Sequence, residues 1–223
     1  MKNLRFYIVF LFVLIALLLC ACTDYAQKIK DEFDPDDASM AANEIKEISY
    51  GYMTDDRDGQ EYRTVKIAGQ EWMAQNLNYY IVDTYCYDDN YQNCDTYGRL
   101  YKWQDAQLAC PYGWHLPSKD EFETLITVAG GYEIAGKTLK STTGWWDTGK
   151  GEGGTDDFGF TVLPAGYINT NEAFISKTAV TLFWTSSVNV DRVYTLSFSY
   201  SDDTASMFLN DTKESKSIRC IRD

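Results

Sequence analysis

The chain has 223 residues and a formal net charge of −13, with 20 lysine and arginine side chains against 33 aspartate and glutamate side chains. Nucleic-acid binding depends on lysine and arginine stripes that displace counterions from phosphates, so this composition argues against a nucleic-acid partner. Aromatic residues make up 15% of the chain, and we expect most of them to be core or half-buried strand residues.

The N-terminal segment has the features of a secretory signal. Lys2 and Arg5 precede an apolar run over 6–19, which is shorter than the roughly 20 residues that a membrane-spanning helix needs. The segment ends in the string Leu-Cys-Ala-Cys at 19–22, which resembles a bacterial lipobox. That resemblance implies diacylglyceryl transfer to Cys22, cleavage before it, acylation of the new amine and stable attachment to a membrane.

Two alternatives stay open at this end of the chain. Cys20 is the other candidate for lipidation, although the bulky Leu19 stands directly before it. The apolar run is also compatible with an uncleaved membrane anchor. We predict a signal peptide over 1–21, an acidic tether over 22–49 that has little to bury, and one globular domain over 50–223.

The first predicted elements of the globular domain are two strands joined by a tight turn. Residues 62–67 alternate and are rich in β-branched side chains, as strands are. Ala68-Gly69 then turns the chain into 70–73, which predicts a hairpin. Residues 76–98 are polar and rich in Tyr, Asn and Asp, which favours a long loop.

Two short helices follow in the predicted order. The first spans 101–110 and is stopped by Pro111. The second begins at Ser118, which fits a capping box with Glu121, and ends at the glycine pair 130–131.

A long glycine-rich loop begins after residue 141 and is followed by short predicted strands over 158–163, 180–185, 193–198, 206–209 and 217–221. This order of a hairpin, two helices, a long loop and several strands is that of an α+β fold with antiparallel strands.

Apart from Cys20 and Cys22, the chain has four cysteines, an even number, as in a disulfide framework of an exported protein. Three pairings of these residues are possible. Cys86 and Cys94 flank a polar stretch, which favours a local bridge between them. Cys110 would then pair with Cys220. A metal site is disfavoured because the chain has no Cys-x-x-Cys pair and only one histidine, His115.

Several strings resemble one family in their order and spacing. The strings are Asp58-Gly59-x-x-Tyr62-x-Thr64-Val65-x-Ile67, Gln70-x-Trp72-Met73-Ala74-x-Asn76-Leu77-Asn78, Gly98-Arg99-Leu100-Tyr101, Cys110-Pro111-x-Gly113-Trp114-His115-Leu116-Pro117-Ser118, Phe183-Trp184-Thr185-Ser186-Ser187 and Arg219-Cys220-Ile221-Arg222-Asp223. They are similar to the Fibrobacter succinogenes major paralogous domain over roughly residues 50–223. The resemblance implies an exported protein or lipoprotein of the bacterial envelope, and it implies no particular chemistry.

A second resemblance concerns the fold. The string Leu-Pro-Ser-x-x-Glu-Phe at 116–122 resembles the helix start of formylglycine-generating-enzyme domains. This resemblance implies a C-type-lectin-like architecture, in which a cysteine of an early helix is bridged to one of a late strand. Cys110 and Cys220 fit that arrangement. The expected fold is therefore an α+β, C-type-lectin-like domain with two short helices, twisted antiparallel strands, long loops and two disulfides.

The first functional hypothesis is a surface-displayed module for binding or adhesion, with a polysaccharide as one candidate ligand. Its candidate contacts are Trp145, Trp146, Asp156 and Asp157 in the glycine-rich loop, together with Trp184. The competing interpretation is that the loop folds back and its rings fill a minor core. The Glu-Pro-Asn and Trp-Asn-Asp strings of calcium-dependent lectins are absent, so that mechanism is not carried over.

Two further hypotheses remain. The chain is also compatible with a structural envelope lipoprotein that has protein partners. A remote alternative is a formylglycine-generating-type oxidase, which the predicted pairing of all four cysteines disfavours. We predict no enzyme activity, because His115 is the only candidate for a histidine-based triad. We also predict no cofactor. Solvated turns are the preferred interpretation of the Asp-rich strings. A calcium loop begun at Thr54 would have Val65 at its twelfth position, where a bidentate glutamate is needed.

Overall fold

The computed structural model of the chain describes residues 47–149 and 153–223. The predicted signal peptide, Cys20, Cys22 and nearly all of the predicted tether lie outside the described residues. Residues Ile48–Asp223 form one compact unit, whose architecture is α+β with few helices and antiparallel strand pairing.

The largest sheet has five strands in the spatial order β1-β2-β3-β12-β5. Its strands are Tyr50–Thr54 (β1), Glu61–Ile67 (β2), Gln70–Met73 (β3), Trp114–His115 (β5) and Ile221–Arg222 (β12). The predicted hairpin is present as β2 and β3, with Val65 opposite Trp72. The last strand, β12, lies between β3 and β5. The C-terminal strand is therefore part of the same sheet as the first three strands.

The second sheet has three strands in the order β10-β9-β8. They are Val180–Asn189 (β8), Arg192–Ser199 (β9) and Ala205–Asn210 (β10). All three are predicted strands; β8 is longer than predicted at its C-terminal end, and β9 and β10 are each one residue longer at both ends. The central strand β9 buries Val193, Thr195, Leu196 and Phe198, so residues on both of its faces are covered.

The third sheet is built from four strands of two residues each, in the order β4-β11-β6-β7. They are Tyr101–Lys102 (β4), Tyr167–Ile168 (β6), Phe174–Ile175 (β7) and Ser215–Lys216 (β11). Strands this short carry no periodic signal, and none of them is predicted as a separate strand.

Four α-helices lie within the described part of the chain. They are Tyr91–Tyr97 (α1), Trp103–Ala109 (α2), Lys119–Val128 (α3) and Ala135–Leu139 (α4). Helices α2 and α3 are the two predicted ones. The Ser118 hydroxyl accepts from the Glu121 N–H and the Glu121 side chain accepts from the Ser118 N–H, so the predicted capping box is present. The N–H of Gly131 donates to the carbonyl of Ile126 at 2.9 Å, which ends the helix.

Three predicted elements are wrong. Residues 158–163 do not form a strand, because Thr161 has a positive φ of 54° and only Val162 makes an isolated bridge, to Lys140. Of the predicted strand over 217–221, only Ile221 belongs to a strand, β12, while Ser217 makes an isolated bridge to Phe183 and β11 ends just before it. The polar segment 76–98 is not all loop, since it contains α1.

Both predicted disulfides are present in the structure. Cys86 and Cys94 are joined across a sequence separation of 8. Cys110, at the end of α2, is joined to Cys220, directly before β12, across a separation of 110. The long bridge therefore connects a helix in the middle of the chain to the central strands of the five-stranded sheet.

The main core lies between the five-stranded sheet, helix α3 and the three-stranded sheet. Trp72 packs against Phe122 with ring centroids 5.1 Å apart, and Phe122 packs against Phe183 at 6.4 Å. Within residues 47–149 and 153–223, the helices are too short and too polar for any of them to cross a bilayer.

Candidate functional site

The outer face of the four-stranded sheet carries a row of side chains from four strands. Ser215 on β11 lies opposite both Lys102 on β4 and Ile168 on β6, and Ile168 lies opposite Phe174 on β7. Directly opposed residues point to the same face of a sheet. These four side chains therefore line one surface, and they form the floor of a shallow groove.

The next row of the same sheet faces the interior. Tyr101 and Lys216 lie opposite each other and are fully buried. The Nζ of Lys216 lies 4.2 Å from the centroid of the Trp184 ring and forms an ion pair with Glu214. Burial lowers the pKa of Lys216 to about 8, although the Glu214 carboxylate favours the charged amine. The sheet thus has a packed inner face and carries the groove on its outer face.

Two turns and a neighbouring loop form the walls of the groove. The turn over 169–173 connects β6 to β7 and is closed by the Asn169 side chain, whose Oδ1 accepts two backbone N–H groups at 2.9 and 3.0 Å. The turn before β11 contributes Lys213. Tyr85 lies at the other side, where its backbone pairs with that of Leu100 beside β4.

The groove consists of two adjoining depressions of about 220 and about 250 Å³, and both are lined by Lys102, Glu172 and Lys213. The first depression, called here the ring-lined half, is completed by Tyr85, Asp89, Ile168, Asn169, Phe174 and Ser215. The second, called here the polar half, is completed by Gln104, Thr170 and Thr212.

Four charged side chains of the groove make no ion pair or hydrogen bond to any other residue in the described part of the chain. They are the cations Lys102 and Lys213 and the carboxylates Asp89 and Glu172. The two charges of each sign cancel, so the groove is locally neutral although the chain as a whole is strongly acidic. Two ammonium groups and two carboxylates are therefore available to a ligand as donors and acceptors.

The ring-lined half is held in place by the Cys86–Cys94 disulfide and by Tyr87. The Tyr87 ring packs on Phe174 with centroids 5.1 Å apart. The Tyr87 hydroxyl accepts from the backbone N–H of Lys177 at 3.3 Å, and burial raises the pKa of Tyr87. The disulfide-closed segment 86–94 is thus next to Tyr85 on one side of the groove, and its Tyr87 ring packs on Phe174, which belongs to the other side.

The family model of the Fibrobacter succinogenes major domain matches residues 65–222, a range that contains every residue of the groove. The chain belongs to this family. The Fibrobacter succinogenes major domain is a surface-type domain associated with the bacterial envelope. No curated protein and no solved structure matches the chain.

Two of the predicted tryptophan contacts of this Fibrobacter succinogenes major domain are buried. Trp145 is 6% exposed, and its indole N–H donates to the Ser141 hydroxyl at 3.1 Å. Trp184 is 0% exposed, and its indole N–H donates to the carbonyl of Tyr101 at 2.7 Å. The structure corrects the expectation that these rings are exposed, because Trp145 is part of the main core and Trp184 lies in the buried stretch 181–185 of β8.

Trp146 is the predicted aromatic contact that stays on the surface, with 58% of its surface exposed. Its backbone N–H donates to the carbonyl of Thr178, four residues after Phe174. Trp146 does not line either half of the groove. It is an exposed ring of the domain that is separate from the groove.

The predicted acidic contacts have different environments. Both Asp156 carboxylate oxygens are used internally, since they accept from the backbone N–H and the hydroxyl of Thr161, each at 2.7 Å. Burial raises the pKa of Asp156, while these two hydrogen bonds oppose the rise. Asp157 is exposed, and neither residue lines the groove. Asp156 is therefore a structural residue that holds the left-handed backbone at Thr161.

His115 bridges two carboxylates at the edge of the five-stranded sheet. Its Nδ1 lies 2.6 Å from Asp223 and its Nε2 lies 2.9 Å from Glu121. A neutral imidazole has one N–H, so two carboxylate partners favour the doubly protonated ring. Burial lowers the pKa of His115, but the hydrogen bonds to Asp223 and Glu121 outweigh it and raise the pKa overall.

The residues of the groove are absent from the predicted site. They come from three distant parts of the chain, around Lys102, 168–174 and Ser215, and are brought together by pairing between two-residue strands. No local motif marks such contacts. Within residues 47–149 and 153–223, no cluster of three or more His, Cys, Asp or Glu side chains is arranged to hold a metal ion.

Proposed function

We propose that this domain is a lipid-anchored, surface-displayed, non-catalytic module that binds carbohydrate, and that the groove on the four-stranded sheet is its binding site. The observation that carries the proposal is the groove itself. It combines two aromatic rings, Tyr85 and Phe174, with lysine, carboxylate, amide and hydroxyl groups in one open depression. Sugars have apolar C–H faces and hydroxyls that donate and accept, so rings beside mixed polar groups suit them.

The C-type-lectin-like architecture is part of this proposal. The bridge from Cys110 at the end of α2 to Cys220 before the last strand supports it, as does the placement of that strand beside β3 and β5. Because a fold hosts many functions, the argument for carbohydrate depends on the groove and not on the architecture.

Retention on immobilised polysaccharides tests the site. Wild type and a Phe174→Ala variant would be compared on a panel of plant and microbial polysaccharides. Phe208→Ala is the matched control, because Phe208 is an exposed phenylalanine on β10, outside the groove. We expect retention of the wild type and of Phe208→Ala on at least one polysaccharide and its loss in Phe174→Ala. No retention on any member of the panel contradicts the proposal.

Lipid anchoring at Cys22 is a separate part of the proposal and has its own test. Radiolabelled palmitate would be supplied to bacteria expressing the wild type, Cys22→Ser or Cys20→Ser. We expect label in the wild type and in Cys20→Ser and none in Cys22→Ser. Loss of label in Cys20→Ser alone would move the lipidation site to Cys20.

A scaffolding role with protein partners is the second candidate, and one observation favours it. Strand β10 is an edge of its sheet, and an open depression of about 400 Å³ beside it is lined by Tyr132, Met207 and Phe208 among others. Exposed sheet edges can pair with strands of other chains. Cross-linking on intact cells would recover a partner protein whose capture is lost in Phe208→Ala but kept in Phe174→Ala.

A further inference from the structure

We infer that the groove binds two consecutive units within a chain of a neutral polysaccharide. This inference rests on the proposed function and names the ligand class for the same site. It follows from the net charge of the groove, from its two adjoining depressions and from their openness to solvent.

The charges of the groove select against ions of either sign. Lys102 and Lys213 would attract an anion, but Asp89 and Glu172 line the same depression and would repel it. A cation would be attracted by these two carboxylates and repelled by the two lysines. A neutral ligand that is rich in hydroxyls satisfies both pairs at once, because a hydroxyl accepts from an ammonium group and donates to a carboxylate. Hydrogen bonds to charged groups are stronger than those between neutral groups.

The acidic surface of the chain around the groove also disfavours an anionic ligand. The chain carries a formal charge of −13, and a long polyanion would extend beyond the two lysines over an acidic surface. Like charges next to a binding site slow association and weaken binding. A neutral polymer has no such cost, so its binding depends little on salt.

The division of the groove sets the length of the ligand that it recognises. The two halves have volumes of about 220 and about 250 Å³, each smaller than the roughly 300–1,000 Å³ of pockets that enclose a drug-sized ligand. Each half therefore suits one sugar unit. One unit packs on Tyr85 and Phe174 in the ring-lined half, and the next lies among Gln104, Thr170 and Thr212 in the polar half.

The three residues that line both halves lie where the two units join. Lys102, Glu172 and Lys213 contact both depressions, so their charged ends reach hydroxyls on either side of the linkage. Because both depressions are open to solvent, the polymer can continue beyond the groove. The site thus recognises a segment inside a chain and does not require a chain end.

Isothermal titration with oligosaccharides of one to six units tests this inference. The probes are neutral glucan, mannan and xylan oligomers, anionic oligogalacturonates and cationic chitosan oligomers. We expect the affinity for a neutral series to rise about tenfold or more from one unit to two and then to level off, since the second half of the groove adds a second set of contacts. We expect little change between about 50 and about 500 mM salt.

Charge variants make the test independent of stability. In Asp89→Asn/Glu172→Gln the groove keeps only its lysines, so we expect weaker binding of the neutral oligomer and new binding of oligogalacturonate. Asp157→Asn, an exposed acid outside the groove, is the control and should leave both unchanged. The inference is overturned if the wild type prefers an anionic or cationic oligomer, or if it binds one unit and two units with equal affinity. Either result leaves the proposed function standing. Absence of binding to every oligomer and polysaccharide overturns both.

Discussion

The ring of Tyr87 packs on the ring of Phe174 with centroids 5.1 Å apart and planes inclined by 50°. This contact joins the segment closed by the Cys86–Cys94 disulfide to the hairpin that forms the opposite wall of the groove. We therefore expect opening of that segment to change the position of Phe174 as well as that of Tyr85.

Removal of the local disulfide tests this connection. We expect Cys86→Ser/Cys94→Ser to lower the free energy of unfolding by about 2–3 kcal/mol, because a short closed loop restricts the unfolded chain only moderately. The same variant should lose ligand retention in conditions where it is still folded. Urea unfolding measures the change in the free energy of unfolding, and retention on immobilised polysaccharide measures ligand binding. Unchanged retention in the folded variant would show that the disulfide does not position the groove.

Removal of the long disulfide should act differently. We expect Cys110→Ser/Cys220→Ser to cost about 4–5 kcal/mol, since the chain-entropy term grows with loop length and this bridge spans a separation of 110. It holds the C-terminal end of α2 to the five-stranded sheet, whereas the groove residue of this helix, Gln104, lies in its first turn, so retention by the folded fraction should persist. A smaller loss of stability than in the Cys86/Cys94 variant would contradict this ordering.

The secondary structure that was predicted correctly depends on local interactions. Helix α3 is specified by Ser118, Glu121 and the glycines at 130–131, all within fourteen residues of one another. The hairpin of β2 and β3 is specified by alternation and by a turn. Such patterns need no knowledge of distant partners, and the structure contains both elements close to their predicted bounds.

The errors have tertiary causes. Residues 158–163 have the composition of a strand, but the Asp156 carboxylate binds Thr161 and holds it at positive φ. Trp145 lies in a glycine-rich segment that reads as exposed loop, yet Lys140 lies beneath its ring at 5.2 Å and the ring is part of the main core. The groove depends on the pairing of β11 with β4 and β6, which are distant from it in sequence, and its two-residue strands are too short to carry a periodic signal.

The buried guanidinium of Arg219 gives a stability prediction. Its Nε and Nη2 donate to the Oδ1 of Asn76 at 3.1 and 2.8 Å, and burial lowers the pKa of Arg219. We expect Asn76→Ala to cost about 3 kcal/mol, because it leaves two donors of a buried cation without their acceptor. Asn171→Ala, in the exposed β6–β7 turn, is the control and should change stability by less than about 0.5 kcal/mol. Equal costs would contradict the assignment of Asn76 as the partner of Arg219.

The His115 cluster predicts a dependence of stability on pH. The folded-state pKa is raised above the ordinary value of 6.5, so the stabilisation is complete below about pH 6.5 and is lost as the pH rises through the folded-state pKa. The side chain is partly exposed, which limits the effect to about 1 kcal/mol or less. Unfolding of wild type and His115→Gln would be compared between about pH 5.5 and 9, above the range where the partner carboxylates titrate.

The expected result is that the stability difference between wild type and His115→Gln shrinks toward high pH. A difference that grows with pH, or that stays constant through this window, would mean that the imidazolium does not bind Asp223 and Glu121 in the way the geometry indicates.

Direct titration of a neutral oligosaccharide of two or more units into wild type, Phe174→Ala and Phe208→Ala is the decisive measurement. We predict binding to wild type and Phe208→Ala with equal affinity, and a loss of about tenfold or more in Phe174→Ala, since a stacked ring contributes on the order of 1–3 kcal/mol. Equal affinity of all three proteins, or binding that is lost only in Phe208→Ala, would contradict the assignment of the groove as the carbohydrate site.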